Sequence, residues 1–153
     1  MVANSLLKHK LVEACQEYVD RRIATATTAM NDAQRSANEE DNSSAGDKYE
    51  TGRAMMQIER DKAANQLEEA MKLKRVVDQL NPDVQHKSAA LGSVVITTQF
   101  NLFIAIGAGK IRVDDHDFLV VGTQSPLGKE LLGRKEQEQF LFNRQPGSIV
   151  MFF

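Results

Sequence analysis

The residues whose types and spacing could do chemistry in this chain are carboxylates. Glu39, Glu40 and Asp41 form an acidic run, and Asp47 and Glu50 follow shortly after it. Crowding carboxylates is unfavourable unless a cation offsets the repulsion. Asp41 is therefore either one member of a solvated acidic run or a group that assists a metal. Ser44-Ala45-Gly46-Asp47 has the S-x-x-[DE] form of a capping box, which would start a helix at that point. An acid there also suits the positive end of a helix. Tyr49 and Arg53 lie four residues apart, on one face of that helix. They read either as a contact pair beside the acids or as a packed tyrosine and a solvated arginine.

Other chemistries find little support. His9, His86 and His116 are isolated and lack metal-ligand spacing. Cys15 is the single cysteine, so neither an internal disulfide nor a cysteine zinc site can form. Gly107-Ala108-Gly109 is a turn, because no dinucleotide fingerprint or Walker lysine follows it. Met30, Met55, Met56 and Met71 read as helix filler. Lys72, Lys74 and Arg75 read as a solvated helix face. The net charge is -2 and the pI about 5.9, unlike the basic coat of a general nucleic-acid binder. No apolar run is long enough to span a membrane, and the N-terminus turns charged too early for a secretory signal. A cytoplasmic location and no cofactor of its own are the expectations.

Positioning the acids requires helices. Residues 2–80 hold no proline and are rich in Ala, Glu, Lys, Gln and Met, which favour helix. Two helices are predicted, over about 2–38 and 46–80. Val12, Val19, Ala26 and Ala33 recur every seven residues in the first. Met56, Ala63, Ala70 and Val77 do so in the second. The polar break NEEDNSSAG between them predicts an antiparallel αα-hairpin with an acidic tip near 38–50. A 35-residue arm would reach on the order of 50 Å. Asn81-Pro82 stops the second helix, and 81–90 reads as a linker. Residues 91–153 turn to Val, Ile, Phe and Gly. Strands are predicted at 92–98, 102–107, 110–113 and 118–122, with a short helical turn at 125–133. A terminal hairpin over 139–153 is expected to turn at Gln145-Pro146-Gly147. The fold class is α+β, with a long coiled-coil hairpin over 1–80 and a small β-rich domain over 91–153.

Ser125-Pro126-Leu127-Gly128-Lys129-Glu130-Leu131-Leu132-Gly133-Arg134-Lys135 closely resembles the SPLGxALLGKK signature of the Gre family of bacterial transcript-cleavage factors. Leu91-Gly92-Ser93-Val94-Val95, Val120-Val121-Gly122 and Pro146-Gly147 also fall where that family has such residues. At the tip, Asp41 and the Tyr49-to-Arg53 spacing are similar to the family's acidic stretch. The chain departs from the family where Ser44 or Ala45 replaces a second tip glutamate, with one residue inserted. Glu136-Gln137-Glu138 also replaces the usual Gly-Asp. The resemblance implies an FK506-binding-protein-like C-terminal domain and a hairpin that enters the secondary channel of RNA polymerase. It implies that Asp41, Asp47 and Glu50 assist the polymerase's catalysis. Asp41 and Asp47 would hold an Mg²⁺ only within that complex. Tyr49, Arg53, Ser125, Pro126, Leu127 and Gly128 would be binding residues. Nucleic acid would be met through the polymerase complex alone, and the chain would need no active site of its own. Independently of the resemblance, a self-contained intramolecular hairpin favours a monomer. The other readings are an inhibitory paralogue, a prolyl-isomerase-like enzyme and a coiled-coil adaptor. Against an isomerase, the chain lacks tryptophan and has few aromatics to floor a proline pocket.

Overall fold

The computed structural model describes the backbone of residues 2–41 and 46–153 and the side chains of 4–39 and 51–153. Helix α1 runs Val2–Asp41 and helix α2 Gly46–Asp78. The seven-residue spacing becomes a buried seam. Val12, Val19, Ala26 and Ala33 are buried on α1, and Ala63, Ala70 and Val77 on α2. Small side chains dominate, so the helix backbones can approach closely. Val19–Lys74 forms one compact unit, holding most of the antiparallel hairpin.

The helix ends differ from expectation. The first helix continues to Asp41, because Glu39 and Glu40 are themselves good helix formers. The acidic run is thus the last helical turn of α1. The second helix ends at Asp78, two residues early. Gln79 N and Leu80 N donate to the carbonyls of Val76 and Val77, which tightens the last turn. Asp83 N then donates to Asn81 Oδ1 at 3.0 Å, a local turn that competes with helix at the Asn-Pro pair.

The second compact unit holds Met1–Tyr18 and Arg75–Phe153. Its six strands are β1 Val94–Thr97, β2 Asn101–Ala105, β3 Gly109–Val113, β4 His116–Gly122, β5 Gln139–Phe142 and β6 Gln145–Phe152. They form one sheet in the order β3-β4-β2-β1-β6-β5. Strands β2 and β4 are parallel, and every other pairing is antiparallel. The fold class is α+β, as the composition break near residue 82 implied.

One face of the sheet carries Val95, Leu102, Ile104, Phe140 and Ile149. Helix α3, Pro126–Leu131, adds Leu127 and Leu131 to that cluster from one side of its turn. Leu132, next to Leu131 in the chain, is 39% exposed. It stands at the helix end, where the chain turns out through Gly133 at φ 82°. The opposite face carries Val94, Phe103, Phe118 and Val120, all buried.

The terminal hairpin does not turn at Gln145-Pro146-Gly147. Phe142 pairs with Gln145, so the turn is Asn143-Arg144, at φ 52° and 64°. A two-residue turn with both centres at positive φ matches the strand twist. Pro146 lies opposite Leu141, the non-hydrogen-bonded position after a closing pair, where its missing N–H leaves the ladder intact. Gly147 is required by its partner strand: a Cβ there would lie 2.6 Å from the Phe140 ring.

Leu131 is fully buried between sheet and helix. Leu131→Ala is expected to lower the unfolding free energy by about 2–5 kcal/mol. Urea unfolding followed by circular dichroism measures it, and a loss below about 1 kcal/mol would mean that α3 is not part of the cooperative core.

Candidate functional site

The tip acids sit where α1 ends and α2 begins. Asp41 is the last residue of α1, and Asp47, Tyr49 and Glu50 lie in the opening turns of α2. The side chains of Asp41, Asp47, Tyr49 and Glu50 lie outside the described residues, as does the proposed Ser44–Asp47 cap. Arg53 is exposed on α2. Residues 39–50 hold five carboxylates against Lys48 alone, a net charge of −4 in a chain whose total is −2. The rest of the chain therefore carries +2, and the negative charge is concentrated at one place. No basic residue occupies the last turn of α1 to complement the negative helix end. Leading into the tip, Ala33 and Ala37 remain buried on the seam, while Arg35 bridges Asp32 at 2.7 Å on the exposed side. Mg²⁺ takes oxygen donors, usually one or two carboxylates completed by phosphates and waters. Among the described residues, no group of three or more His, Cys, Asp or Glu is placed to hold a metal ion.

The Ser125–Gly128 segment has a different character. Ser125 Oγ donates to the Gly122 carbonyl at 2.8 Å and accepts from Gly128 N at 3.0 Å, capping α3. Pro126 occupies the first helical turn, where a missing N–H costs nothing. Leu127 is in the core. A Cβ on Gly128 would collide with the Gly122 carbonyl oxygen, so only glycine fits. Three of these four residues are thus committed to folding α3 onto the end of β4. Pro126 is the member that remains exposed.

A cluster that the sequence reading missed joins the start of α1 to residues 81–92. Lys8 is 1% exposed, and its Nζ donates to the Val84 carbonyl at 2.7 Å. Burial pushes the Lys8 ammonium below its ordinary pKa, and the nearby Asp83 charge partly opposes this. Asp83 Oδ1 lies 2.9 Å from His9 Nε2 and accepts from Ser5 Oγ at 2.9 Å. These hydrogen bonds, His9 first, hold the Asp83 carboxyl below the usual range. His86 Nε2 is buried and finds no hydrogen-bond partner among the described residues. The signal in the sequence was Lys8 itself, which falls on the seam spacing that continues through Leu11, Val12, Cys15 and Val19. Cys15 is buried, and burial raises its thiol to about 11, too high for a nucleophile.

Three phenylalanines also come together. The Phe100 ring lies 5.8 Å from Phe140 and 5.9 Å from Phe142. A groove of about 490 Å³ is lined by Gln99, Phe100, Phe142, Asn143 and Gln145. The chain therefore does gather aromatics that composition alone discounted. Gln99, Asn143 and Gln145 give the groove amide donors and acceptors.

No protein-family model matches this chain, and no curated protein matches it. Among solved structures, one titled as that of the transcription factor Gfh1 is similar, at 15% identity and a TM-score of 0.34. The match covers 98% of this chain and 93% of that one. At that score the likeness carries no activity over. Among the described residues no helix is long and apolar enough to cross a membrane.

His86 yields a pH prediction. Its pKa is lowered first by burial and then by the Lys8 charge, with the Gly92 backbone opposing. The unfolded chain then binds the proton more readily, so His86 leaves stability intact above its ordinary value of 6.5. As pH falls through 6.5 toward the lower folded value, stability declines. Thermal melts of His86→Gln should lose this part of the acid-side slope. A slope identical to that of the unsubstituted chain would contradict the assignment.

Proposed function

We propose that this chain binds RNA polymerase and modulates transcription elongation, its hairpin entering the secondary channel and its tip acids stimulating cleavage of backtracked RNA. The observation that carries the reading is the concentration of carboxylates where the two helices meet. The SPLG-type segment in the same chain supports it. Asp41 and Asp47, with Glu50 beside them, supply oxygen donors for an Mg²⁺ shared with the polymerase. Two metals can clamp an in-line phosphoryl displacement. A factor that contributes carboxylates in this way needs no active site of its own. Tyr49 and Arg53 then contact the polymerase or its RNA beside the acids. The segment Ser125 to Gly128 anchors the chain on the polymerase rim, with Pro126 as its contact residue. The chain works as a cytoplasmic monomer and meets nucleic acid through the polymerase complex.

A second reading is favoured by one observation. Ser44 or Ala45 stands where the resembled family has its second tip glutamate. On that reading the chain occupies the channel without stimulating cleavage and acts as an inhibitor.

The test uses purified RNA polymerase halted in a backtracked complex with labelled RNA. The unsubstituted chain should co-elute with the polymerase and accelerate removal of the RNA 3′ end. Asp41→Asn and Asp47→Asn should each abolish that acceleration while leaving co-elution nearly unchanged. Co-elution without acceleration selects the inhibitor. If both substitutions leave every transcriptional effect intact, the acids are a solvated turn and a helix cap.

A further inference from the structure

The two edges of the sheet are treated differently. Strand β3 presents Lys110 and Arg112, both paired with Asp117 of β4, and charge on an edge discourages strand addition. Strand β5, the other edge, is Gln139-Phe140-Leu141-Phe142, with no charge and with Leu141 59% exposed. Such a segment is a template for strand pairing unless something covers it.

Its register defines which groups are open. Phe142 and Gln145 close the two-residue turn, and Phe140 pairs with Gly147. Those residues direct their main-chain groups toward β6. Gln139 and Leu141 therefore direct theirs to the open edge. Glu130 of α3 and Arg134, just after it, meet them there. Arg134 Nη1 donates to the Gln139 carbonyl at 2.8 Å. Leu141 N donates to Glu130 Oε1 at 3.3 Å. The two side chains are tied to each other, Nη2 to Oε1 at 2.9 Å, and Arg134 Nε donates to the Glu130 carbonyl. Both are about one-third exposed, so the pair is better held than an open surface bridge. An acceptor and a donor are presented to a strand's N–H and C=O, as a neighbouring strand would present them.

We propose that the β5 edge is a strand-pairing surface for a second copy of this chain, held closed by the Glu130–Arg134 pair. The argument for a second copy is self-complementarity. About a two-fold axis at Phe140, Leu141 of one chain faces Gln139 of the other. The two main-chain groups now covered by side chains would then answer each other, as an isologous contact requires. The absence of charge on β5 leaves no repulsion between copies. Opening the pair exposes the surface, and closing it keeps the chain single.

The test is the mass of the full-length chain in solution over a wide concentration range, by light scattering after size exclusion. Glu130→Ala with Arg134→Ala should shift the mass from one chain toward two as concentration rises. Adding Leu141→Pro, which removes an outward N–H without touching the β6 ladder, should return it to one. Glu130→Gln alone keeps an acceptor for Leu141 N and should stay single. If the double variant loses its circular-dichroism signature, Glu130→Ala, which frees Leu141 N alone, takes the same readout. A folded variant that stays single at every concentration overturns the proposal, as does association that Leu141→Pro leaves unchanged.

Discussion

A helix of 40 residues draws its stability from packing rather than from its own backbone, and here that packing is a single seam. Val12, Val19, Ala26 and Ala33 on α1 meet the requirement, with Ala63, Ala70 and Val77 on α2. Because the seam is largely alanine, each contact removes little apolar surface from water. The stabilisation per turn is modest and depends on close approach being kept throughout. A bulky residue in place of Ala26, Ala33, Ala63 or Ala70 would force the helices apart there.

The unit that holds the sheet is fixed by residues of a different kind. The most recognisable stretch of the sequence, Ser125 to Gly128, is chiefly a folding device: a cap, a first-turn proline, a core leucine and a glycine against a carbonyl. Lys8 adds a second device, since its buried ammonium must keep the Val84 carbonyl or stand uncompensated. Both fix chain segments in place. Five carboxylates, by contrast, fall within residues 39–50.

The helices and the β-rich half were legible because their signals are local and repeated. Seven-residue spacing marks a seam wherever it occurs, and Val-rich runs mark strands. The errors came where two local signals competed. Pro146-Gly147 is a stronger turn signal than Asn143-Arg144, yet strand pairing placed the turn at the weaker pair. Glu39 and Glu40 read as loop by charge and as helix by propensity, and propensity prevailed. The Lys8, Asp83 and His86 cluster was not legible, because it joins residues more than 70 positions apart in the chain. The Phe100 groove likewise joins Gln99 and Phe100 to Phe142, Asn143 and Gln145, which are distant in the chain though nearer than that. The tip acids can be read only as residue types, since their arrangement depends on side chains outside the described residues.

The central claim is that the tip carboxylates serve an interaction rather than the fold. Urea unfolding of Asp41→Asn against the unsubstituted chain, at low and high salt, tests it directly. Removing one of five crowded negative charges should leave stability equal or raise it by about 0.3–1 kcal/mol. The gain should shrink as salt screens the repulsion. A loss of about 1 kcal/mol or more would show that the Asp41 carboxylate holds the structure together, and would contradict the account.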